Sequence, residues 1–180
     1  GWNCHEFHPN TEFFADFGVY DVAITVPERF VVGATGVRWS EKANGDGTKT
    51  VGYHAEAVHD FAWTASPRYV EVASRWRHVD IRALMHPEHV GQAERYIQSA
   101  TGALEHFDRW VGPYPYPVLT IVDPSFEGIG AGGMEYPTLI TAGTSWGLPE
   151  GFRYPEMATV HEFGHEYWYG MSASNEFEEA

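Results

Sequence analysis

The sequence predicts an α+β fold in which a β-rich part precedes a part that mixes helices with strands. Apolar and polar residues alternate over short runs between residues 19 and 82, which is typical of strands. After Met85 the period changes to that of an amphipathic helix, and a second helical pattern follows two short apolar stretches near the end. We place the boundary near TASPR at residues 64–68, where no linker occurs, so we expect the two parts to pack closely.

The β-rich part contains five predicted strands, separated by turns rich in Pro, Gly and Asn. Their sequences are VYDVAITV, FVVGATGVRW, TVGYHAEAV, RYVEVAS and HVDIRAL. The stretch EKANGDGTKT joins the second and third of them and combines glycines with Asn and Asp. This composition predicts a hairpin turn.

The second part begins with a long amphipathic helix, predicted from Pro87 to Gly112. Apolar residues recur along it at helical spacing: Val90, Ala93, Ile97, Ala100, Leu104, Phe107 and Val111. A buried strand is predicted in PYPYPVLTIVD, and GIGAGGMEYPTLITAG is a glycine-rich approach to another short strand. The last predicted helix is RYPEMATVHEFGHEYWYG, with Pro155 in its first turn, and we expect Met157, Val160 and Trp168 to form its buried face.

Composition excludes several classes of function for these 180 residues. The hydrophobic content of 43% and the aromatic content of 16% indicate a packed core. A net charge of −14 repels phosphate and anionic lipid, so nucleic acid is not an expected partner. The sequence contains no run of 18 apolar residues, so no membrane segment is predicted. Cys4 is the single cysteine, so no internal disulfide forms. The chain starts without Met and ends without a helix stop signal, so we expect a segment of a longer protein, with any export or membrane-anchoring signal elsewhere.

The clearest chemical motif is H-E-x-x-H, formed by His161, Glu162 and His165. Residues i and i+4 of a helix share one face, so both imidazoles can bind one tetrahedral zinc ion. Glu162 lies slightly around the helix, where it can act as a general base towards a water molecule beside the metal. A chain with this many His and Glu residues contains the motif by chance about one time in twenty. The alternative is a half-buried helix whose two histidines make ordinary hydrogen bonds.

A second motif, GAGGMEYP, precedes the first. Gly132 and Gly133 leave space beside the backbone, and Glu135 follows on a predicted strand near the metal helix. An extended peptide can add to the edge of such a strand, and Glu135 can then bind a free N-terminal ammonium group. The alternative is a glycine turn before a hairpin, with Glu135 in solvent.

Together the two motifs resemble those of the gluzincin aminopeptidases, the family of membrane alanyl aminopeptidase and leukotriene hydrolase. GGMEY stands in the place of the family motif G-x-M-E-N, and H-E-x-x-H follows on a helix. The segments FADFGVYDVAITVP, VHDFAWTASPRY and RWVGPYPYPVLTIVD are also similar to that family, so the resemblance covers the chain from about Phe14.

The resemblance implies that residues 1–67 end an N-terminal β-rich domain and that residues 68–180 begin a thermolysin-like α/β catalytic domain. The implied activity is that of a zinc metalloaminopeptidase, which releases N-terminal residues from peptides with a free N-terminus. His161 and His165 become zinc ligands and Glu162 the general base. The implied substrate-binding residues are Gly132, Gly133, Met134 and Glu135, with Glu135 as the anchor for the amine.

The sequence departs from the family pattern in two ways. Tyr136 stands where the motif has Asn, which puts the local hydrogen bonds in question. The family's third zinc ligand, a glutamate, falls four positions beyond Ala180, and its oxyanion-stabilising tyrosine falls further on. We therefore expect residues 1–180 alone to be inactive and to hold zinc weakly.

Other potential ligands in the chain do not replace the missing one. Glu166 is expected to point elsewhere on the helix, and Met171 stands where a metzincin pattern needs histidine. Glu176, Glu178 and Glu179 follow too closely to return to the metal. Cys4, His5 and His8 are interpreted as an ordinary surface cluster because no fourth ligand follows at a suitable spacing.

Two further functions remain open from the sequence. A thermolysin-like endopeptidase shares the helix motif but needs no anchor for a free amine. A peptide-binding module with a degenerate H-E-x-x-H site is a possibility from a different class, and oligomeric state and preferred N-terminal residue stay open as well.

Overall fold

The protein has a mixed α+β fold, seen in a computed structural model that describes residues 16–143 and 151–172. The described strands are Gly18–Pro27 (β1), Val31–Ala34 (β2), Val37–Ala43 (β3), Thr48–Val58 (β4), Trp63–Ser66 (β5), Val70–Trp76 (β6), Val79–Met85 (β7), Val118–Val122 (β8), Met134–Tyr136 (β9) and Leu139–Thr141 (β10). The α-helices of the same residues are Ala93–Trp110 (α1) and Tyr154–His165 (α2). Short 3-10 helices occur at Val90–Gln92 and Phe126–Ala131.

The strands form three sheets. β1, β4 and β3 make an antiparallel sheet in that order, and β2 pairs with β5 in a second antiparallel sheet. The third sheet has the order β6-β7-β8-β10-β9, in which β7, β8 and β10 are parallel and the two outer strands are antiparallel to their neighbours. Strands up to Ser66 thus build the first two sheets and strands from Val70 build the third, while the division into domains 1–67 and 68–180 stays a prediction.

The strands predicted in the β-rich part occur with two differences. The run FVVGATGVRW is divided into β2 and β3 at Gly36, where φ is +85° and an added Cβ would lie 2.2 Å from the carbonyl oxygen of His54. Such a bend favours glycine. The sequence analysis also missed β5, because a four-residue strand shows too little alternation to be recognised. The hairpin turn is confirmed, with the Asn44 N–H donating to the Thr48 carbonyl at 2.9 Å between β3 and β4.

The long helix is confirmed, but α1 is shorter than predicted. The residues between Pro87 and Ala93 form a turn and a 3-10 helix instead, and α1 ends at Trp110. Val90 and Val111 therefore lie beyond its ends and are exposed. The residues of α1 that are buried against the five-stranded sheet are Ala93, Tyr96, Ile97, Ala100, Ala103 and Leu104. No helix in the described ranges is both long and apolar enough to cross a membrane.

The predicted buried face of the second helix was wrong. Met157, Val160 and Trp168 are 61%, 40% and 54% exposed, and Trp168 lies after the end of α2. The buried positions are instead Pro155, Ala158, Thr159, Glu162 and Phe163. They recur at helical spacing, but two of them are polar, so hydrophobicity alone did not reveal this face. Phe163 packs on Phe107 of α1 at a ring distance of 5.8 Å, which fixes α2 against the core.

β9 lies at the edge of the five-stranded sheet in the described part of the chain. It forms a hairpin with β10, and Pro137 and Thr138 make the two-residue turn, with Thr138 at φ +61°. Glu135 pairs with Ile140, whose side chain belongs to the core beneath α1 and α2. Because cross-strand partners share one face of a sheet, Glu135 lies on the face that carries α2.

Candidate metal and substrate site

α2 places His161 and His165 one turn apart near its C-terminal end. Their rings are 4.8 Å apart between centroids, and their Nε2 atoms are separated by 3.2 Å. Two nitrogens bound to one tetrahedral zinc at about 2.0–2.1 Å lie about 3.3–3.4 Å from each other. The observed separation therefore fits two ligands of one ion, and it also fits a hydrogen bond in which one ring donates to the other.

Hydrogen bonding assigns the tautomer of His165. Its Nδ1 lies 3.3 Å from the carbonyl oxygen of Trp168, which can only accept a hydrogen bond. Nδ1 therefore carries the hydrogen, and Nε2 of the neutral ring keeps its lone pair for a metal. The turn after α2 thus orients this ring, since it places the carbonyl of Trp168 beside it.

Glu162 completes the potential metal group. The ligand atoms of His161, Glu162 and His165 all lie within 4.8 Å of one another, and no other such group occurs among residues 16–143 and 151–172. His161 is exposed and His165 is half-buried, whereas Glu162 is only 7% exposed. The two rings can therefore be reached from solvent, while the carboxylate between them is held inside the protein.

Gly133 brings the glycine motif directly against Glu162. An added Cβ at Gly133 would lie 3.2 Å from Oε1 of Glu162, and the residue adopts φ +85°. The N–H of Gly133 donates to the carbonyl of Thr141 at 2.8 Å, which holds this backbone to β10. The expected proximity of the glycine motif to the metal helix is confirmed, and the lack of a side chain at Gly133 makes room for the carboxylate.

The other residues of the glycine motif lie in β9 or directly before it. The Cα atom of Gly132 lies 3.8 Å from the position that an added Cβ would take at Gly143. Met134 and Glu135 are both half-buried in β9. Tyr136, which replaces the Asn of the family motif, packs on the cluster of Leu84, Val122 and Leu139. Leu139 is also the cross-strand partner of Tyr136, so the tyrosine ring points away from the sheet face that carries α2. The tyrosine therefore packs in the core, whereas Glu135 lies on the opposite face of the strand, towards α2.

Glu166 points away from the histidines, as expected. It is 1% exposed, and both of its carboxylate oxygens accept the N–H of Thr138 at 3.0 Å. The hydroxyl of Tyr114 donates to Oε2 at 3.2 Å. Burial raises the pKa of Glu166 to about 8 against the opposing effect of these hydrogen bonds, and the charge of Glu135 adds to the increase.

His59 lies near this site and was not identified from the sequence. It is 3% exposed, and its ring contacts Phe17 and Tyr169 at centroid distances of 5.5 Å and 4.5 Å. Burial lowers the pKa of His59, and the charge of Glu135 opposes this effect. The sequence VHDF contains no short motif that would indicate the position of this ring.

Several residues considered in the sequence analysis lie outside the described residues. They are Cys4, His5, His8, Glu176, Glu178 and Glu179.

No protein-family model matches this chain, and no curated protein sequence matches it either.

Proposed function

We propose that this chain is part of a zinc metalloaminopeptidase that removes single residues from peptides with a free N-terminus. The observation that supports this most is the 3.2 Å separation of the two Nε2 atoms beside Glu162, which itself lies against Gly133 of the substrate motif. Gly133 and Glu162, one residue from each of two motifs separate in the chain, thus meet at one place. A metal site that adjoins the open edge of a strand is suited to peptide hydrolysis.

In this proposal His161 and His165 hold zinc, and the family resemblance puts a third protein ligand beyond Ala180. Zinc, when bound, lowers the pKa of a water molecule and polarises the scissile carbonyl. Glu162 accepts a proton from the attacking water and gives it to the leaving amine.

The peptide is held by β9. An extended substrate pairs with the free edge of this strand, and Gly132, Gly133 and Met134 lie beside its backbone. Glu135 projects on the α2 face and binds the terminal ammonium group, which fixes the first peptide bond near the histidines. The anchor therefore sets the position of cleavage one residue from the amino end.

The test compares amino-acid anilides that differ only in acetylation of the α-amine, using the intact protein with zinc. We expect hydrolysis of the free amine only, and Glu135→Gln should lower kcat/KM by an amount equivalent to about 2–3 kcal/mol because it loses a charge-assisted contact. The zinc content of this variant should not change. Glu127→Gln, a variant on the 3-10 helix before the glycine motif, is the control and should retain wild-type rates.

Each competing function predicts a different result. Cleavage of internal bonds at the same rate in acetylated peptides as in peptides with a free amine would identify an endopeptidase. Peptide binding without hydrolysis, together with the absence of stoichiometric zinc, would identify a binding module whose histidines only bond to each other.

A further inference from the structure

The turn between β9 and β10 is fastened to the residue that follows the candidate metal ligand His165. The backbone N–H of Thr138 lies 3.0 Å from each carboxylate oxygen of Glu166. Thr138 is the second residue of a two-residue turn and adopts φ +61°. A buried backbone N–H without a partner is costly, and here the side chain of Glu166, the residue directly after α2, provides that partner.

Two further hydrogen bonds extend this link on either side. The hydroxyl of the fully buried Tyr114 donates to Glu166 at 3.2 Å. The side-chain oxygen of Thr138 accepts the N–H of Gly36 at 2.7 Å, which connects the turn to the bend between β2 and β3. The turn is therefore restrained both from the helix side and from the β-rich side.

A buried acidic side chain at this place calls for an explanation, because burying a polar group that can ionise is expensive compared with an apolar residue of similar size. Glu166 does not approach the metal group, since its oxygens are used by Thr138 and Tyr114. Its side chain instead bridges two elements. Glu166 directly follows His165 in the chain, and its carboxyl group accepts the N–H of Thr138, three residues after Glu135.

We propose that Glu166 is a positioning residue, which holds the β9–β10 hairpin against α2 and so sets the distance between the amine anchor Glu135 and the histidine pair. This inference rests on the proposed function. The relevant property of Glu166 is its capacity to accept hydrogen bonds, and the distance that it sets is the one that must match the first residue of a substrate.

Three variants separate this role from simple stability. Glu166→Met keeps the volume of the side chain but accepts no strong hydrogen bond. Glu166→Gln keeps an amide oxygen for the Thr138 N–H. Tyr114→Phe is the matched control, because it removes the other hydrogen bond to Glu166 and leaves the Thr138 contact in place.

Hydrogen exchange measures the link without any reference to activity. In the intact protein, peptides that cover residues 134–141 should exchange about tenfold faster in Glu166→Met than in the wild type, while Glu166→Gln and Tyr114→Phe should stay close to it. If Glu166→Met does not fold, the wild type alone decides the question. Exchange at Thr138 as fast as at an exposed turn amide would overturn the proposal.

Kinetics measure whether the link positions the anchor. With a free-amine anilide, Glu166→Met should raise KM about tenfold and change kcat little, and Glu166→Gln should restore the wild-type KM. A purely structural role would lower the active fraction, and so the apparent kcat, without a change in KM. That result overturns the positioning role in an active enzyme, whereas a wild type that shows no preference for free amines overturns the proposed function instead.

Discussion

At the scale of single residues, the spacing of H-E-x-x-H was enough to predict which side chains share a face of the helix. His161 and His165 approach each other as expected because i and i+4 residues are neighbours on a helix. The contact between Gly133 and Glu162 required the tertiary structure, since it joins two segments distant in sequence. The same holds for Glu166, whose partners Thr138 and Tyr114 are 28 and 52 residues away.

Glu162→Gln tests the proposed role of Glu162 as the general base. The amide cannot accept the proton at neutral pH, so kcat of the intact enzyme should fall by about 10² or more, while zinc and peptide binding persist. Rates with an anilide substrate and the zinc content of the dialysed variant provide the measurement. Loss of stoichiometric zinc would instead make Glu162 a metal ligand.

At the scale of elements, periodicity predicted the existence of the helices but not the buried face of α2. Its buried stripe includes Thr159 and Glu162, so a search for apolar residues selected the exposed Met157 and Val160 instead. Polar residues can occupy such a stripe when they have partners. Thr159 donates its hydroxyl to the carbonyl of Pro155, four residues earlier, at 2.8 Å. The buried face of α2 thus includes Glu162 of the candidate metal group as well as core residues such as Phe163.

Gly133→Ala tests the close approach of β9 to α2. The new methyl group would contact the Glu162 carboxylate at 3.2 Å, and φ +85° is unfavourable for alanine by about 1–2 kcal/mol. We expect lower stability together with at least about a tenfold loss of kcat, because Glu162 must move. Urea unfolding and anilide hydrolysis measure the two effects.

Gly45→Ala is the matched control for this variant. Gly45 has φ +81° in the β3–β4 turn, and nothing lies within 4 Å of its Cβ position. The same backbone strain should therefore lower stability without a change in kcat. Equal losses of activity in both variants would show that strain alone, rather than contact with Glu162, accounts for the effect.

At the scale of the whole molecule, the side chain of Arg82 links two sheets, because it pairs with Glu71 in its own sheet and donates to a backbone carbonyl of another. Arg82 of β7 donates to Glu71 of β6 through Nε at 2.9 Å and Nη2 at 2.8 Å, and its Nη2 also reaches the carbonyl of Val32 in β2 at 3.3 Å. Hydrogen bonding to Arg82 lowers the pKa of Glu71 below its ordinary value. Local periodicity did not predict this arrangement, because the order of strands and the stacking of sheets depend on contacts between distant residues.

The lowered pKa of Glu71 gives the stability a defined pH dependence. The unfolded chain binds the proton first, so the stabilising contribution is complete above about pH 4.5 and is lost as the pH falls through the folded pKa. Glu71→Gln should therefore destabilise the protein at pH 7 by about 1 kcal/mol or less, since the pair is partly exposed, and should have a smaller effect near pH 3.

Unfolding by urea at the two pH values measures this difference. Glu105→Gln removes the partner of Arg109 in an exposed pair on α1 and should change the stability little at either pH. An effect of Glu71→Gln that stays constant between pH 7 and pH 3 would contradict the contribution of the charge.

The brevity of β9 has a consequence for solubility. An open strand edge is a template on which other copies of a protein can assemble, and stable cross-β assembly generally involves segments of six or seven residues. β9 is three residues long, with Gly133 at φ +85° before it and Pro137, which has no backbone N–H, after it. A short peptide can pair with this edge, whereas a long strand from a neighbouring molecule meets a break in the extended backbone at both ends.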